Sequence, residues 1–178
     1  MNIKYYYFID EFNKNEIEKL STQISVIYRN YNKKNDPKEL RKLVINCKNN
    51  RRKVYISNSL KDAIKYNFDG LYIPSFDKNL RFRNIVKKKL EIIGSAHNAI
   101  ELKIKEKQGC SIIFLSPIFK NEKKKKFLDI IKTNLLSNLT ENKIVLLGGI
   151  NFKTLKKSKL CSPYGVAAIS WIKKTARV

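Results

Sequence analysis

Two adjacent glycines stand in the segment KIVLLGGIN at positions 143–151. Glycine has no Cβ, so the N–H groups of Gly148 and Gly149 lie open to a phosphate oxygen. On this reading a side chain at Gly149 would fill the space of the phosphate. The plain alternative is a tight turn from strand to helix. Arg29 ends the run ISVIYR, and its forked guanidinium suits a diphosphate; a salt bridge is the simpler role. Asp77 offers a carboxylate and Asn58 a carbonyl oxygen, the hard donors that magnesium prefers. Asp77 could equally be a solvated turn acid. His97, the chain's one histidine, follows Gly94-Ser95-Ala96 directly. An imidazole there could carry a proton or merely cap a helix. Other polar groups recur where apolar runs end: Tyr31, Ser95, Ser116 with Asn121, and Ile169 with Ser170.

Eight strand-like runs would have to position these groups. They cover 4–9, 24–29, 53–57, 70–74, 90–94, 111–116, 143–147 and 166–170. Between them, apolar residues recur at helical spacing over 11–21, 37–48, 59–67, 98–108, 124–139 and 151–159. Asp36-Pro37 and Ser59 read as helix starts. The segment 75–86 is too polar and irregular to assign. Strands alternating with helices imply parallel βαβ units, and eight of them favour a closed barrel. The expectation is an α/β chain: a compact (β/α)8 TIM barrel forming one domain over 1–178, its closing helix short or absent. Active sites of such barrels gather at the C-terminal strand ends, and phosphates bind after strands seven and eight.

Composition agrees with a single globular domain. The chain has 178 residues, 43% hydrophobic and 11% aromatic, enough for one core. Its formal charge is +23. No recognition-helix, zinc-finger or RNP pattern accompanies the basic residues. The excess therefore reads as a solvated surface whose field attracts phosphorylated small molecules, not as a nucleic-acid interface. Cys47, Cys110 and Cys161 are widely spaced and odd in number, which suits neither a disulfide framework nor a zinc site and fits a reducing cytoplasm. The first residues, MNIKYYYFIDEF, place acids where a signal peptide needs an apolar core. No apolar run approaches a membrane span.

The segments IIGSAHN, CSIIFLSPIF, KIVLLGGIN and GVAAIS, in this order and spacing, resemble the thiamine-phosphate synthase/TenI family. AIKYNFDGLYIPS resembles that family's approach to its fourth strand. The resemblance implies a transferase that joins hydroxymethylpyrimidine diphosphate to thiazole phosphate, releasing diphosphate and forming thiamine phosphate. It implies magnesium as cofactor and departure of the diphosphate before the thiazole nitrogen attacks. Arg29 matches the arginine of the family's Gln-x-Arg-x-Lys motif, whose glutamine and lysine positions are Ile27 and Tyr31 here. The Asn-Asp pair falls on Ser57 and Asn58, so a metal carboxylate has become an amide. Asp77 matches the second metal aspartate. The Gly-x-Ser-x-His motif is one residue shorter, at Gly94–His97. Asn121 and Lys123 stand nearest the polar part of the strand-six loop, which would make Lys123 a catalytic cation beside Arg29 and His97. Gly148, Gly149, Ile169 and Ser170 match the thiazole-phosphate cradle. The family's TenI branch offers a second reading, isomerisation or non-catalytic binding of a phosphate ligand. Its histidine position is Pro117 here, which leaves His97 as the candidate.

Overall fold

The computed structural model describes residues 3–82, 90–120, 126–168 and 171–172. Eight parallel strands close into a barrel in simple sequence order. They are β1 Lys4–Ile9, β2 Ile24–Tyr28, β3 Val54–Ser57, β4 Gly70–Ile73, β5 Glu91–Ala96, β6 Ile112–Leu115, β7 Lys143–Leu147 and β8 Gly165–Ala168. Closure is made by β1 on β8, with Tyr5 opposite Val166 and Tyr7 opposite Ala168. Among the described residues, six α-helices surround the strands: α1 Lys14–Glu18, α2 Pro37–Asn49, α3 Leu60–Lys65, α4 Ala99–Lys107, α5 Asp129–Ser137 and α6 Phe152–Ser158. The fold is the (β/α)8 barrel that the strand–helix alternation implied. None of the described helices is long and apolar enough to cross a membrane.

Capping explains where the helices begin. An Asx or Ser oxygen accepts the orphan N–H groups of a first turn. Asp36 takes the N–H of Lys38, with Pro37 at the first helical position. Ser59 takes that of Asp62, Asn98 that of Glu101, and Asn13 that of Glu16. Asn151 and Thr154 form a reciprocal capping box. The expected starts at Asp36-Pro37 and Ser59 are both present.

Two layers of apolar side chains hold the barrel. Along each strand, alternate residues face the interior or the helices. Tyr7 and Ile9 of β1 join the outer cluster with Leu40, Leu43 and Ile113. Tyr6 and Phe8 point inward, with Ile27, Tyr55, Tyr72, Phe114 and Val145. Phe114 is the hub of this interior. Its ring meets Tyr6, Phe8 and Tyr72 edge-on at 5.1, 5.9 and 5.7 Å, the geometry that opposes a positive ring edge to a negative face. An aromatic plug thus floors whatever binds at the mouth.

Two elements differ from the sequence expectation. β5 continues to Ala96, because Ser95 and Ala96 still pair with Phe114 and Leu115. α5 starts at Asp129, five residues after the helical pattern does. The N–H groups of Leu128 and Asp129 are bound by the carbonyls of Pro117 and Ile118, which ties that stretch to the loop after β6 instead of to a helix.

Candidate active site

The C-terminal strand ends form one mouth, and Arg29 stands on its β1–β2 side. Its guanidinium lies 4.5 Å from the Phe8 ring centre and 5.9 Å from that of Tyr31, a cation over two aromatic faces. Arg29 makes no ion pair among the described residues, so the expected salt bridge is absent there. The Tyr72 hydroxyl lies beneath. Burial pushes its pKa up to about 12, against the Ser95 hydroxyl and the Arg29 guanidinium, which favour the phenolate. Tyr72 therefore stays a neutral hydrogen-bonding group at neutral pH. A cleft of about 560 Å3 opens here, walled by Phe8, Asp10, Arg29, Asn30, Tyr31 and Glu39, among others. That volume suits a small organic ligand. Glu39 braces the wall, accepting from the Phe12 N–H at 2.5 Å and the Tyr28 hydroxyl at 3.2 Å.

From this wall, contacts run around the rim. The Tyr31 hydroxyl is 3.2 Å from Ser57 Oγ, and its ring meets Phe76 edge-on at 5.6 Å. Both rings are exposed, Tyr31 by 51% and Phe76 by 63%. Ser75 Oγ lies 3.1 Å from His97 Nε2, and His97 Nδ1 contacts the Ser116 carbonyl. A carbonyl only accepts, so Nδ1 donates there, while Nε2 faces the Ser75 hydroxyl, which can donate or accept. The His97 N–H donates to Glu101 Oε2 at 2.7 Å. Both ring nitrogens are thus engaged. This arrangement orients His97 between β5 and β6.

Gly148 and Gly149 close the circuit on the β7 side. Both have positive φ, 91° and 72°, where glycine carries no Cβ penalty. A Cβ on Gly148 would lie 2.8 Å from Pro117 Cβ, and one on Gly149 would lie 2.7 Å from the Phe119 carbonyl oxygen. This corrects the expectation that a side chain at Gly149 would enter the phosphate's space: it would enter the loop after β6. Turn geometry and close packing both require these glycines. Their carbonyls are used, Gly148 by the Phe119 N–H and Gly149 by the Thr154 hydroxyl. Among the described residues neither glycine N–H has a partner, so both remain donors for an anion.

Asp77 and Asn58 are not joined. Asp77 Oδ1 accepts the Asn79 N–H at 2.9 Å, and Oδ2 is 3.6 Å from the Arg81 guanidinium. Asn58 is exposed, holds φ 57° and donates its backbone N–H to the Tyr72 carbonyl. Among the described residues no group of three or more His, Cys, Asp or Glu could hold a metal. Magnesium is held through one or two carboxylates plus substrate phosphate oxygens, and Asp77 is the carboxylate that the resemblance offers here. Of the remaining candidates, Asn121, Lys123, Ile169 and Ser170 lie outside the described residues. Ile27, at the motif's glutamine position, is fully buried inside the barrel.

Sequence reasoning missed Phe8, Phe76 and Glu101. The period-two pattern of β1 places Phe8 inward at the mouth end, so that signal was present. Glu101 sits in the first turn after the Asn98 cap, a position equally explained by the helix dipole. Phe76 lies in an irregular loop and left no periodic trace.

Comparison with known proteins gives these contacts a context. A family model described as thiamine monophosphate synthase (TMP-TENI) matches residues 17–172. A thiamine-phosphate synthase of Methanococcus vannielii is 27% identical over 120 residues, 66% of this chain and 58% of the relative's length. Among solved structures, a thiamine phosphate pyrophosphorylase from Pyrococcus furiosus superposes with a TM-score of 0.75 at 16% identity, covering 98% of this chain and 92% of its own. One from Bacteroides thetaiotaomicron gives 0.62 at 15%, covering 94% and 83%. At those identities the two structures speak to the fold alone. The family model spans nearly the whole barrel, from α1 to past β8, and on that ground the chain belongs to the thiamine monophosphate synthase family.

Proposed function

We propose that the protein is a transferase of the thiamine-phosphate synthase type, joining hydroxymethylpyrimidine diphosphate to thiazole phosphate. The observation that carries this reading is an Arg29 guanidinium without an ion pair among the described residues, set on aromatic faces in a cleft. The same mouth holds on its other side the N–H groups of Gly148 and Gly149, which have no partner among the described residues. Two anion-complementary features suit two phosphorylated substrates.

In the reaction the methylene C–O bond breaks and its electron pair leaves with the diphosphate. The thiazole nitrogen then forms the new C–N bond and becomes the positive centre of the product. No proton need move, which is compatible with a His97 whose two nitrogens are engaged. Arg29 would hold the leaving diphosphate through charge-assisted bonds. The aromatic floor of Phe8 and Tyr72 would exclude water from the electron-poor methylene carbon. Lys123, Asn121, Ile169 and Ser170 enter this reading through the family resemblance. Magnesium would enter it with the diphosphate, with Asp77 as the carboxylate that the family resemblance offers.

The test is a coupled assay of the purified protein with both precursors and magnesium, scored for thiamine phosphate. Product formation supports the reading. Thiazole phosphate binding without product would instead support a TenI-type isomerase or binder.

A further inference from the structure

Helix α4 buries a lysine completely: Lys105 has no exposed surface. An ammonium out of water is costly unless its N–H groups find acceptors. Lys105 Nζ donates to the Pro74 carbonyl at 2.7 Å, the Asp77 carbonyl at 2.8 Å and Gln108 Oε1 at 2.8 Å. Gln108 is equally buried. Its Nε2 donates to the carbonyls of Asp77 and Asn79, both at 2.9 Å. Lys105 of α4 and Gln108 at its C-cap thus place four hydrogen bonds on the carbonyls of loop 74–79. Burial lowers the Lys105 pKa to about 8, so the ammonium persists at neutral pH.

The loop depends on these donors. Its other described hydrogen bonds through the backbone are local: Asp77 N–H to Pro74, Asn79 N–H to Asp77 and Arg81 N–H to Asn79. An apolar side chain at 105 would leave the Pro74 carbonyl with the Asp77 N–H alone, the Asp77 carbonyl with Gln108 alone, and buried Gln108 Oε1 without its donor. The same loop supplies two groups to the mouth, Ser75 holding His97 and Phe76 packing on Tyr31, while the Asp77 carboxylate closes the loop's own turn.

We propose that Lys105 and Gln108 are positioning residues, a clamp that sets Ser75 and Phe76 at the mouth for the diphosphate-bearing substrate. The identity of that ligand rests on the transferase reading; the clamp itself rests on the geometry alone. The positioned groups lie in the loop after β4, whereas Gly148 and Gly149 lie after β7.

The experiment uses the full chain and Lys105→Met, which keeps an unbranched side chain and removes the donors. Amide hydrogen exchange over 75–79 is expected to quicken at least tenfold. Calorimetric affinity for inorganic diphosphate with magnesium should fall at least fivefold, with thiazole phosphate affinity within twofold of wild type. Gln108→Ala, which leaves the lysine in place, should shift exchange and diphosphate affinity the same way by less, and it decides the matter should Lys105→Met not fold. Unchanged exchange in the folded variants overturns the clamp. Faster exchange with unchanged diphosphate affinity overturns positioning and leaves a structural role. A wild-type protein that binds no diphosphate overturns the transferase reading, and the ligand named here with it.

Discussion

At the residue scale, Arg29 and Asn58 carry separable expectations. Arg29 has no competing carboxylate partner among the described residues, so its removal should weaken a ligand contact without unmaking an ion pair. Arg29→Ala is expected to weaken diphosphate binding by about 2 kcal/mol, roughly thirtyfold, the worth of a charge-assisted contact. Thiazole phosphate affinity should stay the same. Calorimetry with both ligands checks this, and intact diphosphate affinity would make Arg29 structural. Asn58 sits where a second metal carboxylate is expected, with a φ that Asp also tolerates. Asn58→Asp is therefore expected to tighten magnesium binding by about tenfold, the effect of one added carboxylate among its ligands. Titration of magnesium with diphosphate present measures it; no change would place Asn58 away from the metal.

At the scale of elements, the β7–α6 turn matters most. Gly149 combines a left-handed backbone with a Cβ direction blocked by Phe119. Gly149→Ala is expected to destabilise the fold by about 3 kcal/mol, from left-handed strain of about 1–2 kcal/mol and overpacking of about 1–3 kcal/mol. Urea unfolding without any ligand reads this directly. A variant of unchanged stability would show that the loop after β6 yields, and would return the glycines to a purely ligand-facing role. The pairing of these two loops also explains why α5 begins late: the chain after β6 is tied back to Pro117 and Ile118 before it turns into a helix.

For the whole molecule, the end of the barrel away from the mouth carries a charge network of its own. At the N-terminal strand ends, Glu91 accepts from Lys53 Nζ at 2.8 Å and the Tyr55 hydroxyl at 2.7 Å. Burial alone would raise the Glu91 pKa, but these bonds and the Lys53 and Lys143 charges hold it below the ordinary carboxyl value. A depressed folded pKa contributes stability above the unfolded value, near pH 4.5, that is lost as pH falls through the folded one. The stability advantage of wild type over Glu91→Gln should therefore be full at pH 7 and shrink as pH is lowered below about 4.5. Urea midpoints at pH 7, 5 and 3 test the sign. A gap independent of pH would mean that packing, not charge, is what Glu91 supplies.

Periodicity decides strands and helices locally, so the order of eight strands and six helices, the caps at Asp36 and Ser59, and the closed barrel were all legible in the residues. So was the C-terminal mouth, because in a parallel barrel every strand delivers its last residue to the same side. The sequence alone also placed Arg29, His97 and the Gly148-Gly149 pair at strand ends. Contacts across the mouth depend on which loops meet, and no local pattern encodes that. Only the tertiary structure tied both nitrogens of His97 to Ser75 and Ser116. It also turned the missing side chains of Gly148 and Gly149 toward Pro117 and Phe119, and bent the Asp77 carboxylate back into its own turn. Lys105 is the sharpest case. On the chain it is one more lysine of a helix in a protein of charge +23. Burial against loop carbonyls some thirty residues earlier makes it a clamp.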